Sequence, residues 1–370
     1  MIYLDNAATT VLDDDVLAAM LPYLKSEYGN AQSQHAAGRA AAQGLISARD
    51  GVAAVFGCKG DEVYFLSGGT EAGNLAVKGV CAAHGKGHLI VSAIEHPAVL
   101  ESAISMQKSG FDLTVINPDS CGILPPQSVE KAIRPDTVFC AVMAANNEIG
   151  TLQNVEEIGE ICMRHGIFYY CDCVQSVGIA PFPVKHANAF AVSAHKFHGP
   201  KGVAAMYIKS GSRINGIISG GRQERGLRGG TVNVASAVGL AVALEKAVKG
   251  EHNKKIAALR DGFVDRVLTE IEGAHLNGDS VRRVPSNANI SFDGCDGENI
   301  LFCLDLKGIC VSTGSACSAG AVTPSHVVSA TAGEARAKSA VRFTFGKYNT
   351  QEDVAVTVDA LKETVAKIRG

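Results

Sequence analysis

Residues 63–67, 88–92, 112–116, 137–143, 167–171, 189–193 and 203–208 are short apolar runs bounded by Gly, Pro and polar residues. That pattern predicts buried strands. Between them, residues 70–81, 97–108, 126–133 and 154–165 read as helices. Such alternation predicts an α/β fold with helices on both faces of a largely parallel sheet. The strands lack clean alternation of apolar and polar positions, as expected where both faces are covered. Ahead of this region come a short extended piece, MIYLDNAATT, and a helix opened by Asp13, Asp14 and Asp15 that runs to about Lys25. A polar stretch, 28–34, and an Ala-rich helix over 35–56 follow. After the Gly-rich segment 220–231 the pattern changes. A long helical region over 234–271, broken near Gly250, leads into sparser α+β structure with strands at 287–292 and 341–345 and a closing helix at 351–368. The division predicts a large domain over 16–244 and a smaller one formed by 1–15 and 245–370.

Composition narrows the class. A chain of 370 residues, 46% hydrophobic and 19% charged, is ordinary for a soluble enzyme of about two domains. Its formal net charge of −3 creates no overall field for nucleic acid or an anionic membrane. The N-terminus lacks the basic and apolar regions of a signal peptide, and no apolar stretch reaches membrane-spanning length. A cytoplasmic location is therefore expected. The eleven cysteines are odd in number and irregularly spaced, which argues against a disulfide framework, and no paired spacing suggests a metal site. Most of these thiols read as small buried hydrophobes.

The candidate chemistry lies where strands end. Lys196 follows the strand 189–193 inside AFAVSAHKFHGPKG, at the edge where α/β sheets collect ligands. A lysine amine there can condense with a carbonyl compound. Asp172 follows the strand 167–171 and could face a protonated ring nitrogen or cap the next segment, with Gln175 three residues on. Ser67-Gly68-Gly69-Thr70 joins a strand to a helix N-terminus, a cradle suited to phosphate. His96 sits at another strand-to-helix junction, with a flat ring and a pKa suited to proton transfer. Around Cys317 the run TGSACSAG is all small residues, which predicts a mobile loop bearing a candidate nucleophile. Arg342 lies in an apolar run, where a substrate carboxylate or a structural acid would have to balance it.

Taken together, YLDNAATT, SGGTEAGNLAVKG, EHPAV, NNEIG, CDCVQSVG, SAHKFHGPKG, GGRQERGLRGGT, GSACSAG, PSHVV and VRFTFG closely resemble the cysteine desulfurases in that family's order, over nearly the whole chain. The arrangement around Cys317 is similar to the branch with the longer cysteine loop. The resemblance implies the aspartate-aminotransferase-like fold (fold type I), with a mostly parallel seven-stranded sheet, and pyridoxal 5'-phosphate (PLP) as cofactor. Lys196 would hold PLP and act as base at the substrate α-carbon. Asp172 would pair with the pyridine nitrogen and Gln175 with the phenolic oxygen, while His96 would stack on the ring. Gly69, Thr70, Ser193 and His195 would bind the phosphate, joined by Thr231 from the second subunit of a homodimer. Asn147 and Arg342 would hold the carboxylate of L-cysteine. Cys317 would take its sulfur as a persulfide and release L-alanine, feeding a sulfur-acceptor protein of iron–sulfur cluster assembly or tRNA thiolation. A selenocysteine lyase or another class V PLP aminotransferase is the alternative; a transaminase has no use for the thiol.

Overall fold

The computed structural model describes residues 1–314 and 324–370. The chain opens with a two-residue strand, β1 (Ile2–Tyr3), and the helices α1 (Asp14–Lys25) and α2 (Ala36–Phe56). Next come β2 (Val63–Leu66), α3 (Gly69–His84), β3 (His88–Ser92), α4 (Pro97–Lys108), β4 (Asp112–Ile116), α5 (Pro126–Ala132) and β5 (Thr137–Ala141). They are followed by α6 (Val155–Arg164), β6 (Phe168–Asp172), β7 (Ala189–Ser193) and β8 (Ala204–Ile208). Helices α7 (Val234–Val248) and α8 (Asn253–Glu270) lead to β9 (Ala274–Asn277), β10 (Asn287–Phe292), α9 (Gly297–Asp305) and β11 (Ile309–Cys310). The chain closes with α10 (His326–Ala332), α11 (Glu334–Ser339), β12 (Ala340–Thr344) and α12 (Gln351–Arg369).

Among the described residues, seven strands form one sheet in the order β2-β8-β7-β6-β5-β3-β4. Only β8 runs against the others, pairing antiparallel with both β2 and β7. The remaining neighbours are parallel. Apolar side chains cover both faces. Tyr169, Phe190 and Val192 pack against α2, α6 and α7, while Phe139, Tyr170 and Met206 pack against α3 and α4. The unbroken apolar strands seen in the sequence thus have their cause in burial on two sides. Of the cysteines, Cys81, Cys140, Cys162, Cys171 and Cys173 are buried.

A second sheet, β12-β10-β9, is antiparallel and packs on α8, α9 and α12 around Phe263, Phe292 and Phe343. Strand β1 pairs in parallel with β11, and Leu4 enters this second core. Helix α12 starts cleanly because Thr350 and Asp353 cap each other's backbone N–H groups. No helix among the described residues is long and apolar enough to cross a membrane.

Candidate active site

Every parallel strand of the large sheet delivers its carboxyl end to the same edge, and four of those ends carry the predicted groups. Lys196 follows β7 in a single 3-10 turn. Its Nζ donates to the carbonyls of Ala7 (2.7 Å) and Ala8 (2.9 Å), so the DNAATT segment lies directly over the amine. Gln175 Nε2 donates to the same Ala7 carbonyl at 3.1 Å. Asn6 anchors this segment by donating to Thr344 O at 2.7 Å, and Ala7 N donates to the Thr344 hydroxyl at 2.9 Å.

Asp172 is the last residue of β6 and is buried. Its Oδ1 accepts from Val174 N at 2.9 Å, so it closes a turn rather than capping a helix. Among the described residues the carboxylate has no ion-pair partner within salt-bridge distance. Burial pushes its pKa up, while the charges of His96 and Lys196 pull it back down. Burial likewise holds His96 below the usual imidazole value, with Asp172 opposing and Lys196 and His326 adding to the fall. His96 also caps α4, its Nδ1 accepting from Ala98 N at 3.1 Å. That nitrogen is therefore unprotonated, and the neutral ring carries its proton on Nε2. His195 is pushed down to about 4, first by burial and then by Lys196 and Lys201. Its Nδ1 meets the Thr9 hydroxyl at 3.2 Å.

Helix α3 begins at Gly69 behind Gly68, with no side chain capping its first N–H groups. A Cβ on Gly69 would stand 3.3 Å from Val174 Cγ2 and 4.0 Å from Ser193 Cβ. Only a small residue lets this helix start so close to the ends of β6 and β7. Glu71 closes the strand-to-helix turn by accepting from Ser67 N at 2.7 Å, and Arg228 pairs with it at 3.0 Å. Thr231 lies exposed beyond that arginine, on the loop preceding α7.

Arg342 is buried on β12. It donates to Asn147 O at 2.9 Å and pairs with Asp5 at 2.9 Å, while its Nε has no hydrogen-bond partner. Of the two ways of balancing this charge, a structural acid is the one present. The fold therefore brings together Lys196, Asp172, Gln175, His96, His195 and the start of α3 on one side, and Asn147 with Arg342 on another. Cys317 lies outside the described residues.

A family model described as Aminotransferase class-V matches residues 2–356. A protein named cysteine desulfurase IscS from Dictyoglomus turgidum is 43% identical, the match covering 100% of this chain and 95% of the relative. Another of that name from Methanosarcina thermophila is 40% identical over 100% of this chain and 93% of its own. The chain belongs to the class-V aminotransferases, among the cysteine desulfurases. Its fold superposes on a solved NifS-like protein with a TM-score of 0.92, at 36% identity and with 99% of each chain covered. A structure described as SspA in complex with cysteine gives a TM-score of 0.83 at 31% identity, covering 95% of this chain and 100% of the other.

The family's motifs hold groups whose part the residue reading missed. Glu95, beside His96, is buried with Oε1 accepting from Met143 N at 2.8 Å and Oε2 without a partner. Tyr170 OH is also buried and unpartnered. Glu148, beside Asn147, is buried as well. No local pattern marks the two glutamates: Glu148 follows Asn146 and Asn147, and Glu95 stands beside His96 and Pro97, so their burial comes from segments distant in the chain.

Proposed function

We propose that this chain is a PLP-dependent cysteine desulfurase. L-cysteine and the Cys317 thiol would give L-alanine and a persulfide on Cys317, the C–S bond of the substrate breaking as the S–S bond forms. A homodimer in the cytoplasm, passing this sulfur to an acceptor protein of iron–sulfur cluster assembly or tRNA thiolation, completes the reading. The observation that carries it is that Lys196, Asp172 and His96 stand at or just beyond the carboxyl ends of β7, β6 and β3 at one edge of the sheet, near enough for the Lys196 charge to act on both of the others.

The residues present fit PLP by their chemistry. Among the described residues, a buried carboxylate with no cationic side chain at salt-bridge distance, a helix N-terminus without a side-chain cap, and a flat neutral imidazole suit a pyridinium, a phosphate and a ring face. Bound there, PLP would supply an electron sink for the substrate's α-carbon. Lys196 Nζ would hold the coenzyme and move the α-proton. Asp172 would keep the pyridine nitrogen protonated, with Gln175 at the phenolic oxygen. His96, neutral with its proton on Nε2, would shuttle protons and pack on the ring. Gly69, Thr70, Ser193 and His195 would bind the phosphate, and Thr231 would reach it from the second subunit. Asn147 and Arg342 would hold the substrate carboxylate, the unpartnered Nε of Arg342 offering a donor.

The test compares alanine and sulfide formation from L-cysteine in PLP-loaded wild type, Lys196→Ala and Cys317→Ala. Lys196→Ala is expected to lose about a thousandfold or more of both products. Cys317→Ala should keep the coenzyme's visible absorbance and lose sulfide release. Full sulfide production by Cys317→Ala would refute the persulfide route.

A further inference from the structure

Gly314 precedes and Ser325 follows residues 315–323, which include Cys317 and lie outside the described residues. Both of these flanking residues meet one side chain. Glu148 Oε2 accepts a hydrogen bond from the Ser325 hydroxyl. A Cβ placed on Gly314 would stand 2.2 Å from that same Oε2 and 2.6 Å from Ser325 Cβ. His326, the next residue, has its Nδ1 3.9 Å from Glu148 Oε1 and its Nε2 3.1 Å from Glu95 O.

Glu148 is itself held rigidly. Its backbone N–H donates to Asn146 Oδ1 at 2.9 Å. Its carbonyl accepts from Asn287 at 2.9 Å and Asn289 at 3.1 Å, both on β10. The neighbouring Asn147 carbonyl takes Arg342. Glu148 thus lies between the proposed substrate carboxylate site, through its chain neighbour Asn147, and the described residues Gly314 and Ser325 on either side of the Cys317 segment.

We propose that Glu148 is a positioning residue for sulfur transfer, bonding the Ser325 hydroxyl and packing closely on Gly314, the described residues that bracket the Cys317 segment. Its role rests on the persulfide reading above. Glu148 is not among the residues assigned above to coenzyme or substrate, so its removal should spare steps that need no thiol.

The experiment uses full-length, PLP-loaded protein and two readouts. Cysteine-dependent alanine formation requires Cys317. Exchange of the α-hydrogen of L-alanine for deuterium in heavy water uses the coenzyme, Lys196 and the carboxylate-binding residues but no thiol. Glu148→Ala is expected to lower kcat for cysteine about tenfold or more, with α-hydrogen exchange within about twofold of wild type. Glu148→Gln, which keeps an acceptor for Ser325, should restore kcat to within about threefold. Ser325→Ala, which removes only a hydroxyl, should show the same split and serves if Glu148→Ala fails to fold. The proposal is overturned if soluble holoenzyme of either alanine variant turns cysteine over at the wild-type rate, if exchange falls in step with turnover, or if Gln is no better than Ala. A wild type that makes no alanine from cysteine, or a Cys317→Ala variant that equals it, would instead refute the proposed function.

Discussion

Glu95 shows how one side chain can cost stability near a site. Burial, with Asp172 adding, pushes its carboxyl from 4.5 up to about 8, while the bond from Met143 N opposes the rise. Between those values the unfolded chain releases a proton that the folded chain keeps, so folding becomes less favourable as pH rises from about 4.5 to 8. Glu95→Gln removes that titration. The difference in melting temperature between variant and wild type should therefore move in the variant's favour between pH 5 and pH 8, which thermal melts would read; an offset that does not change with pH would contradict the assignment. The residues that were legible at this scale, Lys196, Asp172 and His96, stand at strand ends, where local pattern already points to ligands. Glu95 and Glu148 were not, because what marks them is burial and partners contributed by distant segments.

Helices and strands were largely legible because their patterns are local. Strands β3, β4 and β7 begin and end where the apolar runs do, and the break near Gly250 separates α7 from α8. The elements left as sparse α+β structure are those whose cause is a contact. Strand β11 is two residues long and exists through its pairing with β1, and β9 is half-exposed and held by β10. Close approach also reverses an ordinary propensity in α6. Alanine is the better helix former by about 1 kcal/mol, yet a Cβ on Gly159 would stand 2.3 Å from His186 O and 2.7 Å from His186 Cβ. Gly159→Ala is expected to destabilise the protein by about 1–3 kcal/mol in a denaturant melt. A more stable variant would show that the 182–188 segment can yield.

Across the whole molecule, the first ten residues tie the parts together. Leu4 N donates to Cys310 O at 2.9 Å, and Leu4 O accepts from Thr344 N at 2.6 Å. Thr10 N donates to His195 O at 2.8 Å, and Ala7 caps a lysine 189 residues away. Deleting residues 1–10 should lower the melting temperature and weaken coenzyme uptake together, read by thermal melts and visible absorbance after adding PLP. A truncated protein that melts with the wild type and takes up PLP equally well would disprove this coupling. The amino-acid order alone determined the succession of strands and helices, the covering of both sheet faces, and which side chains stand at strand ends. All of these follow from periodicity and turn residues within a few positions of one another. Only the tertiary structure decided the strand order, the reversal of β8, the balancing of Arg342 by Asp5, and the convergence of Gly314 and Ser325 on Glu148. Those depend on how distant segments pack, and local pattern carries no record of a partner hundreds of residues away.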